Sequence, residues 1–291
     1  MSADASRPTV GAVVLTMNDR TGEFSEAMSS LLAQEGIDLD VVVVGNGCEP
    51  DHVPDGVRTV TLGENVGIPE GRNIGARHVD GEFLFFFDND AVLPTTDALA
   101  RLAGALTHDP GSAYVQPRIA APDGTTLRRW VPRLRATDPA RPGTVTVMAE
   151  GVVMVRRAAF DAVGGWPGHY FLFHEGIDLA WRLWDDGHTG RYLPEIIVHH
   201  PATDPARHDT YYRLNARNRV WLTRRNLPLP LIPLHLAAWA LVTAWRLRDP
   251  TALRVTAAGF AEGLRGGHGP RQPMSWRTVA RLTRAGRPPL V

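Results

Sequence analysis

Asp88-Asn89-Asp90 follows directly on the apolar run Phe85-Phe86-Phe87. Two carboxylates within three residues, at the end of a buried segment, make a compact set of hard oxygen ligands for a divalent cation. Such a cation can bridge both phosphates of a nucleoside diphosphate and neutralise charge as a leaving group departs. A solvated acidic turn carries the same letters, so the motif takes its meaning from what surrounds it. Gly67, Gly71 and Gly75 punctuate a second segment, where missing side chains let backbone approach a ligand closely or let a helix pack tightly on a sheet.

The elements that must position these groups alternate between β-branched runs and helical patterns. That order predicts an α/β fold with a mostly parallel sheet flanked by helices. Val10–Leu15, Asp40–Val44 and Val57–Leu62 read as strands, with Phe24, Ala27, Met28, Leu31 and Leu32 at helical spacing between the first two. Pro69 suits the first turn of a helix. Glu82–Phe87 is the most apolar strand, and ligands of open α/β sheets gather at strand carboxyl ends. Thr95 or Thr96 is placed to cap the next helix. Residues 121–145 lack periodicity and read as a loop between two halves. Beyond it come a strand at Val152–Val155, helices over Arg157–Val163, Gly176–Asp186 and His208–Asn226, and a strand over Arg191–His199.

The 291 residues carry no net charge, yet the distribution is lopsided. Residues 1–205 hold 16 Arg against 28 Asp and Glu, and residues 206–291 hold 15 Arg against 3. A basic tail fits an anionic partner. No zinc-finger, RNA-binding or basic-zipper pattern accompanies it, so an anionic membrane surface is expected rather than nucleic acid. Leu236–Trp245 is too short to span a bilayer and reads as a helix lying in the interface, with a buried core or dimer helix as the competing reading. A single cysteine, Cys48, excludes an internal disulfide. With no recognisable secretory signal at the start, the expectation is a cytoplasmic protein, peripheral on the inner face of the membrane.

Taken together and in order, several segments resemble family-2 glycosyltransferases over roughly residues 8–226. They are Thr16-Met17-Asn18-Asp19-Arg20, Val43–Gly47, Asn65–Gly75, Phe87–Asp90, Gly164-Gly165-Trp166 and His174–Arg182. The resemblance implies a GT-A fold, an inverting mechanism and a UDP-, dTDP- or GDP-linked sugar donor, with Mn²⁺ or Mg²⁺ as cofactor. Thr16, Asn18 and Asn46 would lie by the nucleotide base, although Gly45-Asn46-Gly47 also reads as a tight turn. Asn65, Gly67, Arg72 and Asn73 would approach the ribose and diphosphate, and Asp88 the ribose and sugar. Asp90 would bind the metal, and the spacing after Pro194-Glu195 favours His200 over His199 as its partner.

An inverting transfer needs a base for the acceptor hydroxyl. The family commonly has Glu-Asp where this chain has Glu175-Gly176, so Glu175 is the first candidate and Asp178 the second. Either also reads as an ordinary helix-start carboxylate. Gly45 stands where an aspartate commonly touches the base or ribose, which leaves the donor nucleotide open. Trp166 and Trp181 suit an acceptor pocket or plain core packing. The expected organisation is a catalytic domain over 1–226, with a nucleotide-sugar half at 8–120 and an acceptor half at 121–226, followed by a basic helical membrane-associating tail at 227–291. The acceptor expected is a glycan or lipid-linked molecule of the cell envelope. A sugar nucleotidyltransferase and a non-catalytic membrane-associated protein of the same fold are the competing readings.

Overall fold

The computed structural model describes residues 7–134, 138–149, 151–202 and 209–290. The strands are β1 (Thr9–Thr16), β2 (Asp38–Gly45), β3 (Arg58–Thr61), β4 (Phe83–Asp88), β5 (Ser112–Ala120), β6 (Gly143–Val145), β7 (Val152–Arg156) and β8 (Thr189–His199). They form one sheet in the order β3-β2-β1-β4-β7-β5-β8-β6. The first four of that order run parallel, as do β5 and β8. Strand β7 is antiparallel to β4 and β5, and β6 to β8. The mostly parallel α/β sheet expected from the sequence is therefore present.

Alternation along β4 explains why it sits centrally. Leu84 and Phe86 face one core layer while Phe83, Phe85 and Phe87 face the other, and all five are buried. The layer on one side is closed by α1 (Thr21–Leu32) and α3 (Ala98–His108) through Phe24, Met28, Leu31, Leu99, Leu102 and Leu106. The opposite layer is closed by α2 (Ile68–Ala76), α4 (Arg157–Ala162) and α5 (Glu175–Asp185). Trp166 and Trp181 belong to this second layer, 2% and 4% exposed, with Trp166 edge-on to Phe86 at 5.0 Å between centroids. They are core residues and not pocket walls.

The cap of α3 differs from expectation. Asp97 is its N-cap, and no side-chain cap bond comes from Thr95 or Thr96. Gln34 Oε1 instead accepts from Leu99 N at 3.0 Å, because Gln34 is carried alongside by α1. This is a long-range cap that local spacing does not reveal.

Four C-terminal helices follow: α6 (Asp209–Asn226), α7 (Leu231–Arg246), α8 (Pro250–Arg265) and α9 (Trp276–Arg284). His208, expected to begin α6, lies outside the described residues. Helix α8 presses onto α6 at two buried glycines, where a Cβ would stand 2.2 Å from Arg213 O and 2.7 Å from Val220 Cβ. Leu231, Met274 and Leu282 complete the second core layer, so residues beyond 226 are built into the body of the fold. Only one side of α7 is covered. Leu241 and Trp245 are 72% and 70% exposed, and Leu234 lies open beside them. Among the described residues no helix is long and apolar enough to cross a membrane.

Candidate active site

Strand β4 delivers Asp88 at its end, and the turn behind it is fixed by Ala91 N donating to Asp88 O at 3.1 Å. Val92 and His199 then form a two-bond bridge, each N–H donating to the other's carbonyl at 2.8 Å. That bridge lays the end of β8 against the acidic turn. His200, the next residue along, comes to 3.2 Å from Asp90 Oδ1 and 3.5 Å from Asp88 Oδ2 through Nε2. Its Nδ1 lies 2.9 Å from Pro201 O, which only accepts, so Nδ1 carries a proton there and Nε2 is the atom turned toward the two carboxylates. His199 stands outside the cluster of Asp88, Asp90 and His200 and lines a small cavity with Glu23 and Glu26, which Asp90 and His200 also border.

Asp88, Asp90 and His200 each present one ligand atom, all within 4.8 Å of one another. Two carboxylate oxygens and one imidazole suit a small divalent cation such as Mn²⁺ or Mg²⁺. The cluster also holds two arginines. Arg72, almost fully buried on α2, donates from Nη2 to Asp88 Oδ1 at 2.7 Å. Its Nη1 is buried without a hydrogen-bond partner among the described residues. Arg20, unanticipated from the sequence, meets Asp90 Oδ2 from the loop after β1. Burial alone would push the Asp88 carboxyl up, but His200 and Arg72 hold it below the usual carboxylate range. Burial likewise works against His200 carrying a proton, yet Asp88 raises its pKa above the ordinary imidazole value. Gly151 leaves room for Asp88, since a Cβ there would fall 2.3 Å from Oδ2.

This cluster stands where two cavities meet. One, about 350 Å³, is lined by Thr16, Arg20, Asn46 and Asp90; the other, about 470 Å³, by Glu175, Arg129 and Tyr211. Arg72, Asp88 and His200 line both. The structure thus brings Thr16, Asn46, Arg72, Asp88, Asp90, His200 and Glu175 around one continuous space.

Other expected residues hold the walls instead. Asn18 has positive φ and grips the loop after β2, donating to Glu49 O at 2.8 Å and accepting from Asp51 N at 3.2 Å. Asn65 Oδ1 accepts from Asn46 Nδ2 at 3.0 Å and from Gly67 N at 2.9 Å, an orienting role for Asn46. Gly67 is needed because a Cβ would lie 2.5 Å from Phe171 Cα, and its φ is +85°. Gly71 and Gly75 pack on Leu15, Val13 and Val44. Asn73 clamps the backbone of Trp166 on both sides, at 2.9 and 2.8 Å. None of Asn18, Asn65, Gly67 or Asn73 lines either cavity. Gly45 also has a steric reason: a Cβ there would be 2.1 Å from Cys48 O, because the chain folds back over it.

Asp178 is the clearest correction. It is fully buried, and both oxygens are engaged, by Arg182 Nε at 2.6 Å, Asn226 Nδ2 at 2.6 Å and Tyr170 OH at 3.1 Å, with Arg225 at 3.6 Å. It lines neither cavity, and its bonds to Asn226 and Arg225 tie α5 to α6. Glu175, one turn earlier, opens α5 and faces the larger cavity. The segment before it has positive φ at Phe171, Phe173 and His174. Asn218 on α6 holds that conformation by directing Nδ2 at Tyr170 O, Leu172 O and Phe173 O, at 3.0, 2.6 and 2.9 Å. No local pattern marks Asn218 for this task.

Residues 12–164 match the family model described as glycosyl transferase family 2. A segment of 113 residues is 33% identical to the N-acetylglucosaminyl-diphospho-decaprenol L-rhamnosyltransferase of Mycobacterium tuberculosis, in strains CDC 1551 and H37Rv. That match covers 35% of this chain and 31% of the relative, so it spans under a third of the relative's length. Among solved structures, GalNAc-T7 with UDP, GalNAc and Mn²⁺ superposes with a TM-score of 0.66 at 15% identity, over 99% of this chain and 59% of that one. The mannosyltransferase PcManGT from Pyrobaculum calidifontis, in complex with GDP-Man and Mn²⁺, gives 0.55 at 20% identity, over 97% and 80%. S. aureus TarS 1–349 with UDP-GlcNAc gives 0.61 at 15% identity, over 96% and 88%. At such identities the likeness establishes the fold, which is GT-A.

Proposed function

Because the chain belongs to glycosyl transferase family 2, we propose that it is an inverting, metal-dependent glycosyltransferase that moves a sugar from a nucleoside diphosphate to an acceptor hydroxyl. The observation that carries this reading is the junction of two cavities at Arg72, Asp88 and His200, with Glu175 in the wall of the second. Nucleotide binding belongs to the smaller cavity, which Thr16 and Asn46 help to line. Arg72 offers its unpartnered Nη1 to the donor's diphosphate. Asp90, His200 and Asp88 would hold Mn²⁺ or Mg²⁺, which supplies charge neutralisation on the departing nucleoside diphosphate. Glu175 accepts the acceptor hydroxyl's proton as that oxygen attacks the anomeric carbon from the side opposite the nucleotide.

Donor recognition falls to residues 8–120 and acceptor recognition to 121–226, with His200 crossing from the second half to complete the cation site. The acceptor we propose is a lipid-linked or cell-envelope glycan, in keeping with the lipid-linked substrate in the name of the mycobacterial relative. The open face of α7, with Leu234, Leu241 and Trp245 among basic neighbours, would rest on an anionic membrane.

A panel of UDP-, dTDP- and GDP-sugars, tested for binding and slow hydrolysis with and without Mn²⁺ or Mg²⁺, tests the reading. One donor class should bind in a metal-dependent manner, and Asp90→Ala should weaken it by at least about tenfold, near 1.4 kcal/mol. Metal-independent binding of every donor, indifferent to Asp90→Ala, would overturn it.

A further inference from the structure

A third cavity, about 410 Å³, lies outside the junction just described, between the loop leading into β6 and the chain end after α9. Arg133, Arg141 and Arg287 line it, and no carboxylate does. Among the described residues none of the three forms an ion pair with an acid. The acidic group nearest in effect is Asp138, whose charge partly offsets that of Arg133; Tyr192 presents its ring to Arg133 at 5.9 Å. Burial and the neighbouring Arg141 both work against the charge on Arg133. Arg133 and Arg141 act on one another beside a cavity that no carboxylate lines, and Arg287, whose charge also reaches Tyr114, His174 and Arg219, borders the same space; like charges held so are costly unless an anion joins them.

Arg287 is placed there by local chemistry. Helix α9 ends in a left-handed Gly286, and Arg287 N donates back to Leu282 O at 3.2 Å, which fixes the direction of the chain. The helix is itself bolted to α5: Arg281 donates to Trp184 O, Gly187 O and His188 O at 2.6–2.9 Å, and Asp185 accepts from Thr278 Oγ1 at 2.7 Å. Arg287 also lines the cavity that holds Glu175, and Pro132 is the second residue common to both. The basic cavity therefore adjoins the acceptor side of the junction and is separate from Arg72.

We propose that Arg133, Arg141 and Arg287 form a second anion site, which takes a phosphate or diphosphate ester carried by the acceptor. The proposal rests on the glycosyltransferase reading for the word acceptor, and on the cavity alone for the anion. It gives the arginine-rich loop and the basic chain end one shared task at the site.

Binding of inorganic pyrophosphate and of farnesyl diphosphate is measured on the full chain, with the donor site saturated by the preferred nucleoside diphosphate and Mn²⁺. Both probes should still bind, and Arg133→Ala, Arg141→Ala and Arg287→Gln should each weaken them by about tenfold. Arg141 is exposed, so its variant keeps the test clear of folding defects, checked by an unchanged melting curve. Unaltered binding in all three variants, or no binding beside a filled donor site, overturns the proposal. If the variants lose only phosphatidylglycerol vesicles and not farnesyl diphosphate, the anion is a lipid headgroup and the acceptor assignment falls. A protein that binds no nucleotide sugar yet loses pyrophosphate in these variants refutes the glycosyltransferase reading while keeping the anion site.

Discussion

The donor side of the junction is assembled from groups that leave their own strand or helix already aimed: Asp88 and Asp90 from the end of β4, His200 from the end of β8, Arg72 from α2. The acceptor side is assembled from a distance. Glu175 follows a segment with three positive-φ residues, held by Asn218 from α6, and Asp178 beneath it is held by Asn226 and Arg225. The difference teaches that the two halves fail differently. On the function proposed, losing a donor-side group would remove one contact to ligand, whereas losing an acceptor-side support would move the proposed base without touching ligand at all.

Two carboxylates one helical turn apart give the strongest way to break that comparison. Glu175→Gln should lower turnover on the order of 10²–10⁴-fold with donor affinity and melting temperature unchanged. Full activity in this variant would remove Glu175 as the base and with it the division of labour. Asp178→Ala should instead act on folding, costing about 3–5 kcal/mol because Arg182 is left buried without its partner. Chemical denaturation reads the second effect. A stable Asp178→Ala protein with abolished turnover would mean that the two roles are reversed.

The third expectation sharpens the comparison and shows where the sequence stops speaking. Asn218→Ala leaves the carbonyls of Leu172 and Phe173 short of a donor, while Tyr170 O keeps Arg217 Nη2 at 2.8 Å, a loss of about 1–3 kcal/mol, and turnover should fall by at least tenfold while donor binding holds. A variant with lowered stability but wild-type turnover would reduce Asn218 to a plain support. The parallel sheet, the Asp88–Asp90 turn and the choice of His200 were legible because each depends on period, strand order or neighbouring residues. Asn73 and Asn65 were legible as part of the site's surroundings, while their bonds to Trp166, Asn46 and Gly67 were not, since a sequence shows an amide but not which backbone it will meet. Arg20 stood inside the Thr16–Arg20 segment without a role of its own, and Asn218 and Arg287 were invisible as site residues, because nothing near those two in sequence shows what the fold brings alongside. Gly45 was legible as a departure, while its cause lies in Cys48 O folding back over it.

The acceptor side should also respond to acid in a way the donor side does not. His235 on α7 is buried, with Nδ1 at 2.9 Å from Pro289 O and Nε2 facing Arg219 at 3.4 Å, and burial followed by the Arg219 charge lowers its pKa to about 4. In the unfolded chain a histidine titrates near about 6.5. Between those values the unfolded state binds the extra proton, so stability rises with pH through that window and is lost as pH falls from about 6.5 toward 4. The expected loss from this one group is roughly 1 kcal/mol between pH 6.5 and 5.5, the smallest of the four effects. Denaturation curves at pH 7.0, 6.0 and 5.0 (roughly spanning the window) should show it, and His235→Gln should reduce the slope by this one group's share, leaving the part due to His174 and His169, whose pKa values burial also lowers. Because the bond to Pro289 joins α7 to the chain end that carries Arg287, the same acid should loosen the acceptor side first. Hydrogen exchange that rises around β4 before α7 as pH falls would contradict that order.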